Sequence, residues 1–164
     1  MIPVRQYRDF WKYIAEEIDI IECVHMVDDE SELSQKIKDF EDRHTYLVVV
    51  TPSADLVADN EDNHGDIDTC VIYVLMKIDP RDETSGDIMF ERESTQNTMK
   101  SVRTMMLELE NGQGSDQYYS DEKYRAASDL MKQIVRGKQH VDRERNYLGC
   151  NGYSLSFGIK TNGF

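Results

Sequence analysis

Apolar residues recur near the start of the chain at Tyr7, Phe10, Trp11, Ile14, Ala15 and Ile18. Spacings of three and four put them on one stripe of a 3.6-residue helix. Pro3, which has no N–H to leave unsatisfied, suits its first turn. Residues 20–27 are rich in β-branched side chains and predict a strand. Asp28, Asp29 and Glu30 bring the negative charge favoured at a helix start. Leu33, Ile37 and Phe40 then mark one face of a second helix over residues 30–42. Next the period changes. Residues 45–51 are a continuous apolar run ended by Pro52, as expected of a strand buried on both faces. Residues 53–66 are polar and read as a loop, and residues 67–78 are the longest strand candidate, closed by Asp79-Pro80.

Residues 81–87, with Gly86, read as a turn. A long helix over 88–110 follows, with Met99, Val102, Met106 and Leu109 as its stripe and Asn111-Gly112 as its C-cap. Residues 113–120 read as a polar loop. Tyr124, Ala127, Met131 and Ile134 predict a helix over 121–136, with Gly137 behind it. The end reads as a hairpin: residues 138–148 against 153–161, turning at Gly149-Cys150-Asn151-Gly152, because Asn-Gly is a strong hairpin signal. In its last strand Tyr153, Leu155, Phe157 and Ile159 alternate with Ser154, Ser156, Gly158 and Lys160, so one face is buried. The expectation is a single α+β domain over residues 1–164, with no internal repeat or linker. A mixed or antiparallel sheet of about five strands would be covered by three to four helices, in the usual range for sheets. The helices beginning near Val4 and Ile88 should cover it, and Leu47, Val49, Val71, Tyr73, Leu75, Phe157 and Ile159 should be buried.

Composition narrows the class. At 164 residues, 39% hydrophobic and 31% charged, the chain suits one folded domain with a real core rather than a disordered polymer. No run approaches the ~18 apolar residues of a membrane span. The first residues interleave charges with apolar side chains and lack the apolar core of a signal peptide, which predicts a protein made and kept in a cytoplasm or assembled from one. The net charge of −13 comes from 32 acidic against 19 basic residues. That field repels nucleic acid, whose binding depends on phosphate neutralisation. It suits a solubility surface, a DNA mimic or an acidic ring lumen through which DNA slides. Cys23, Cys70 and Cys150 are odd in number and far apart, which argues against a disulfide framework or a zinc site and for reduced core residues.

Candidate chemistry is sparse. The stretch from Asp59 to Asp68 resembles a calcium loop in that Asp59, Glu61 and Asn63 alternate as oxygen ligands. His64 stands at its glycine position and Cys70 at its glutamate position, so the match fails at both diagnostic places, and a solvated acidic loop is the preferred reading. Alanine at His64, Asp66 and Asp68 together should therefore leave folding and assembly largely intact. His25, His44, His64 and His140 lie singly, outside any zinc-hydrolase spacing, and no nucleophile elbow, phosphate loop or dinucleotide fingerprint occurs. Glu91, Glu93, Glu108 and Glu110 read as an exposed helix face, and Met99, Met105 and Met106 as core rather than a promiscuous groove. No catalytic, cofactor-binding or metal residue is assigned, and no enzyme is expected.

The order of pieces carries a resemblance. An amphipathic first helix precedes the apolar strand Leu47-Val-Val-Val50. The long strand Thr69-Cys-Val-Ile-Tyr-Val-Leu-Met-Lys-Ile-Asp79, helices and the final Leu148-Gly-Cys-Asn-Gly-Tyr-Ser-Leu-Ser-Phe segment follow. This resembles the small neck and tail-completion proteins of tailed bacteriophages, tail terminators in particular. The resemblance implies a virion protein that self-associates into a ring, six-fold by analogy, caps the tail tube and joins it to the head connector. It implies no cofactor, no membrane and no specific nucleic-acid binding, with DNA passing through the ring. Subunits are expected to join through the C-terminal hairpin and the loops 53–66 and 113–120. Two other classes stay open: an acidic inhibitor or immunity-type binding protein, and a hydrolase.

Overall fold

The computed structural model describes residues 1–58, 64–77 and 85–161. The fold is α+β, built on a mixed sheet. In chain order the elements are α1 (Val4–Glu17), β1 (Cys23–Val27), α2 (Glu30–Ile37), β2 (Thr45–Val50), β3 (Ser53–Ala58), β4 (His64–Lys77), α3 (Ser85–Glu110), α4 (Asp116–Ser120), α5 (Glu122–Met131), β5 (His140–Tyr147) and β6 (Cys150–Thr161). The sheet runs β1-β2-β4-β6-β5, with β3 on β4 beyond the end of β2. Among the described strands β1 and β2 pair in parallel and the other strand pairs are antiparallel.

Alternation decides what lies on each face. On one face Leu47, Val49, Cys70, Ile72, Val74, Leu155, Phe157 and Ile159 form a buried layer, under α1, α3 and α5. Trp11 of α1, fully buried, sits edge-on to Phe10 at 5.0 Å and to Phe157 at 6.1 Å. The Ser128 hydroxyl donates to the Leu109 carbonyl at 2.7 Å and ties α5 to α3. On the other face α2 covers a smaller cluster, in which Leu33, Ile37 and Phe40 meet Val27, Tyr46, Val48, Leu75 and Cys150. Val71 and Tyr73 point to this second face, beyond the cover of α2, and are half-buried rather than buried. The other five residues expected in the core are buried.

Several boundaries differ from the sequence reading, each for a local reason. Residues 53–58 and 64–66 are not loop: β3 pairs with β4 from Ser53↔Thr69 to Ala58↔His64, while residues 59–63 lie outside the described residues. In effect β3 continues β2 along the same edge of β4. Three residues, including Pro52, separate Val49 from Ser53, where only two separate Ile72 from Thr69 on the partner. That is a bulge, the one interior place a strand tolerates a residue that cannot donate. Residues 113–120 are not loop either. A 3-10 turn over Gly112–Gly114 leads into α4, where the Ser115 hydroxyl accepts the Tyr118 N–H at 3.3 Å. Asp121 then caps α5 by accepting from the Lys123 and Tyr124 N–H groups at 3.0 and 3.2 Å. The C-cap expected at Asn111-Gly112 is not left-handed, since Asn111 has φ −98° and the chain tightens instead. Two helices are shorter than predicted: α2 ends at Ile37 with Phe40 still buried, and α5 ends at Met131. Past α5 the backbone turns to pair with β6, the Val135 N–H donating to Gly158 and the Lys160 N–H to Gln133, both at 2.8 Å. Strand β1 begins at Cys23 rather than residue 20, and α3 already at Ser85.

The final hairpin turns three residues earlier than Asn-Gly suggests. Leu148 and Gly149 have φ of 52° and 84°, the two positive angles of a type I′ turn, closed by Tyr147↔Cys150. Asn151 and Gly152 lie within β6. The Asn151 side-chain oxygen accepts the Asn146 N–H at 2.6 Å, across the bulge between Glu144 and Tyr147. Gly152 sits where a Cβ would lie 1.8 Å from the Val74 carbonyl oxygen. Strand β6 is therefore interior, between β4 and β5, and the edge of the hairpin is β5. Of the hairpin expected to join subunits, β5 rather than the Tyr153–Ile159 strand is therefore the part that stands at the edge.

Candidate functional site: the open edges of the sheet

The side chains singled out in the sequence do not converge. Asp68, from the calcium-like stretch, faces the core and is fully buried. Its Oδ2 accepts the Ile2 N–H at 2.9 Å and the Thr161 hydroxyl at 3.2 Å, with the Met1 amine at 3.7 Å. It ties the segment before α1 to the end of β6, so it is structural, and it is not dispensable with its neighbours as the loop reading expected. Beside it the Cys70 thiol is pushed up to about 12 by burial. Among the described residues Asp68 Oδ1, the Tyr7 hydroxyl and the Trp11 indole N–H are buried without a hydrogen bond.

The histidines stand apart. His25, on β1, stacks on Phe40 at 5.3 Å and Tyr46 at 5.9 Å, and burial lowers its pKa. His44 lies between the carboxylates of Glu22 and Glu41. His140, on β5, meets Asp142 at 3.0 Å. Glu91 is buried on the inner side of α3, where desolvation raises its pKa against the pull of Arg143 and Arg92. Glu93 and Glu108 are exposed, and Glu110 accepts from Arg136 at 2.8 Å. Met99 and Met106 are core, with Met105 packed against them. Cys70 and Cys150 are buried and free, while Cys23 is exposed on β1, a correction to the reading of three core thiols. Among the described residues no three acidic, histidine or cysteine side chains are arranged to hold a metal.

What the fold does present is a sheet with two different ends. Among the described residues β1 pairs only with β2, and β5 only with β6, so each carries a row of unpaired backbone groups. Their flanks differ in charge. From Asp19 to Glu30, around β1, there are five carboxylates (Asp19, Glu22, Asp28, Asp29 and Glu30) and no Lys or Arg. From Lys138 to Arg145, on β5, three bases (Lys138, Arg143 and Arg145) exceed two acids (Asp142 and Glu144). The asymmetry runs through the chain: residues 1–98 carry 24 acids and 9 bases, net −15, and residues 99–164 carry 8 acids and 10 bases, net +2. A sequence reading that divided the total of −13 between these two segments would have found it. A groove of about 630 Å³ lies between α1 and α5, with Phe10, Tyr13, Ala127 and Leu130 in its wall. No described helix is long and apolar enough to cross a membrane.

The chain matches no protein-family model and no curated protein. Its function has to be argued from this surface.

Proposed function

We propose that the chain is a structural subunit of a tailed-phage neck or tail, similar to a tail terminator, that acts as a homo-oligomeric ring at the end of the tail tube. The observation that carries this reading is the pair of unlike open edges. A self-complementary dimer needs one patch that matches itself, whereas two different patches on opposite ends of a subunit form head-to-tail contacts, which make a ring where the rotation between subunits closes and a filament where it does not. Exposed strand edges are normally blocked in a lone domain, and leaving two of them available suits a protein whose partner supplies the missing strand.

The charge supports the same role. A ring whose wall is made of subunits carrying −13 each repels DNA phosphates, so a genome slides through without being held. Such a protein works by geometry and carries no resident cofactor. A second reading, an acidic binding protein for a basic partner, draws on the net −15 of residues 1–98.

Native mass spectrometry of the full chain over a range of ionic strength tests the proposal. Repulsion between subunits falls as salt screens it over a Debye length of ~8–10 Å, so closed oligomers of a single size should grow in with salt. A one-to-one complex with a basic protein, and monomer at every ionic strength, would favour the second reading instead.

A further inference from the structure

We propose that neighbouring copies join by antiparallel pairing of β5 of one copy with β1 of the next, in a register set by the charges at the strand ends. The inference rests on the ring reading and names its contact.

Strand directions follow from the pairing. β4 runs opposite to β2 and to β6; β1 runs with β2, and β5 runs opposite to β6. So β1 and β5 point in opposite directions at the two ends of the sheet. Placing two copies side by side in the same orientation, as a ring with its axis along the strands requires, brings β5 against β1 antiparallel. That is the pattern with well-formed backbone hydrogen bonds. The lengths agree. β1 has five residues, and β5 has five regular positions, His140 to Glu144, before its bulge.

The register follows from the faces. Val24 and Met26 pack against the helix-covered core, as Val141 does. Keeping the helices of both copies on one side of the sheet, with all five positions of each strand overlapping, sets Val141 opposite Met26 and Arg143 opposite Val24. His140, Asp142 and Glu144 then oppose Val27, His25 and Cys23. Just beyond this overlap Lys138 comes near Asp29 of the next copy, and Arg145, past the start of the bulge, comes near Glu22. A base of one copy thus meets an acid of the next at both ends of the joint. Pairing β1 with β1 would instead set the acids Glu22, Asp28 and Asp29 against their own copies, which electrostatic complementarity disfavours.

Directly opposed residues of an antiparallel pair lie ~4.5–5.5 Å apart at Cα, within the span of a disulfide. Cys23 is exposed and free, so Glu144→Cys under mild oxidation tests the contact. The expected result is a covalent ladder of three, four and more copies, abolished by adding Cys23→Ser. A covalent species that stops at two would overturn the pairing: in the wild type it would mean β1 on β1, and in Glu144→Cys with Cys23→Ser it would mean β5 on β5. If Glu144→Cys does not fold, the charges serve. Arg145→Glu should weaken association roughly tenfold, and Glu22→Lys in the same chain should restore it, since each joint then meets with its charges exchanged. Oligomers that persist in native mass spectra with no ladder and no charge rescue would sink this contact and leave the ring reading standing. Monomer alone at every ionic strength would sink both.

Discussion

Gly152 gives the sharpest test of how the C-terminal hairpin is built. It lies in β6 opposite Leu75 of β4 and Glu144 of β5, inside the sheet. A Cβ there would sit 1.8 Å from the Val74 carbonyl oxygen and 2.9 Å from its carbon. Carbon–oxygen contacts between strands are about 3.3–3.6 Å, so Gly152→Ala forces β4 and β6 apart by roughly 1.5 Å. Forced overpacking costs ~1–3 kcal/mol, and about two stretched ladder hydrogen bonds add ~1 kcal/mol each. A loss of roughly 3–5 kcal/mol results, a large share of the ~5–15 kcal/mol that holds a typical domain. At ~2–4 °C per kcal/mol for this chain length, Tm should fall by roughly 6–20 °C. Gly149 is the control. Its φ of 84° suits the turn, but an added Cβ meets nothing within 4 Å. Gly149→Ala should therefore cost only ~1–2 kcal/mol. Differential scanning calorimetry of the two variants separates the cases. If the turn were at Asn151-Gly152 the order would reverse, and Gly149→Ala costing more than Gly152→Ala would refute this hairpin.

Other consequences are independent of that one. Asp68→Ala removes a charged acceptor from the Ile2 N–H and the Thr161 hydroxyl, and should lower stability by ~2–4 kcal/mol in urea titration; an unchanged midpoint would return Asp68 to the surface. Trp11→Ala empties the centre of the aromatic cluster and should cost ~3–5 kcal/mol in the same titration. A thiol reagent should label Cys23 in the native protein while Cys70 and Cys150, each pushed up to about 12 by burial, react only on unfolding. His25 is held below its usual 6.5 by burial and by Lys36. The unfolded chain thus binds the extra proton as pH falls below 6.5, and stability drops through that window. His25→Gln should flatten the acid side of a Tm–pH curve between pH 7 and 5.

How much of this was legible depends on whether a signal was local. The stripe from Tyr7 to Ile14 and the run of residues 45–49 show their burial in their own periodicity, and the structure buries them. The final strand shows its buried face in the same way, but not its position in the sheet. Alternation says that Leu155, Phe157 and Ile159 face inward, and only the pairing to β4 and β5 says the strand is interior. The Asn-Gly signal misled because its side chain and its missing Cβ serve a bulge and a tight strand approach. β3 was hidden because it is short, follows directly on Pro52 and leads into an acidic stretch, and because only its long-range pairing to β4 makes it a strand. For the candidate site the charges were in plain view. Which of them stand at opposite edges was not, because strand order is a tertiary property.

The central claim is a structural role in a tailed particle, and the most direct measurement locates the chain in its natural source. Density-gradient fractionation of a lysate, followed by mass spectrometry of each band and antibody labelling under the electron microscope, reads it out. The chain should travel with tailed particles, at a fixed number of copies per particle, and label at the junction of tail and head. Recovery only at low mass in the soluble fraction, with particles free of it, would contradict the account.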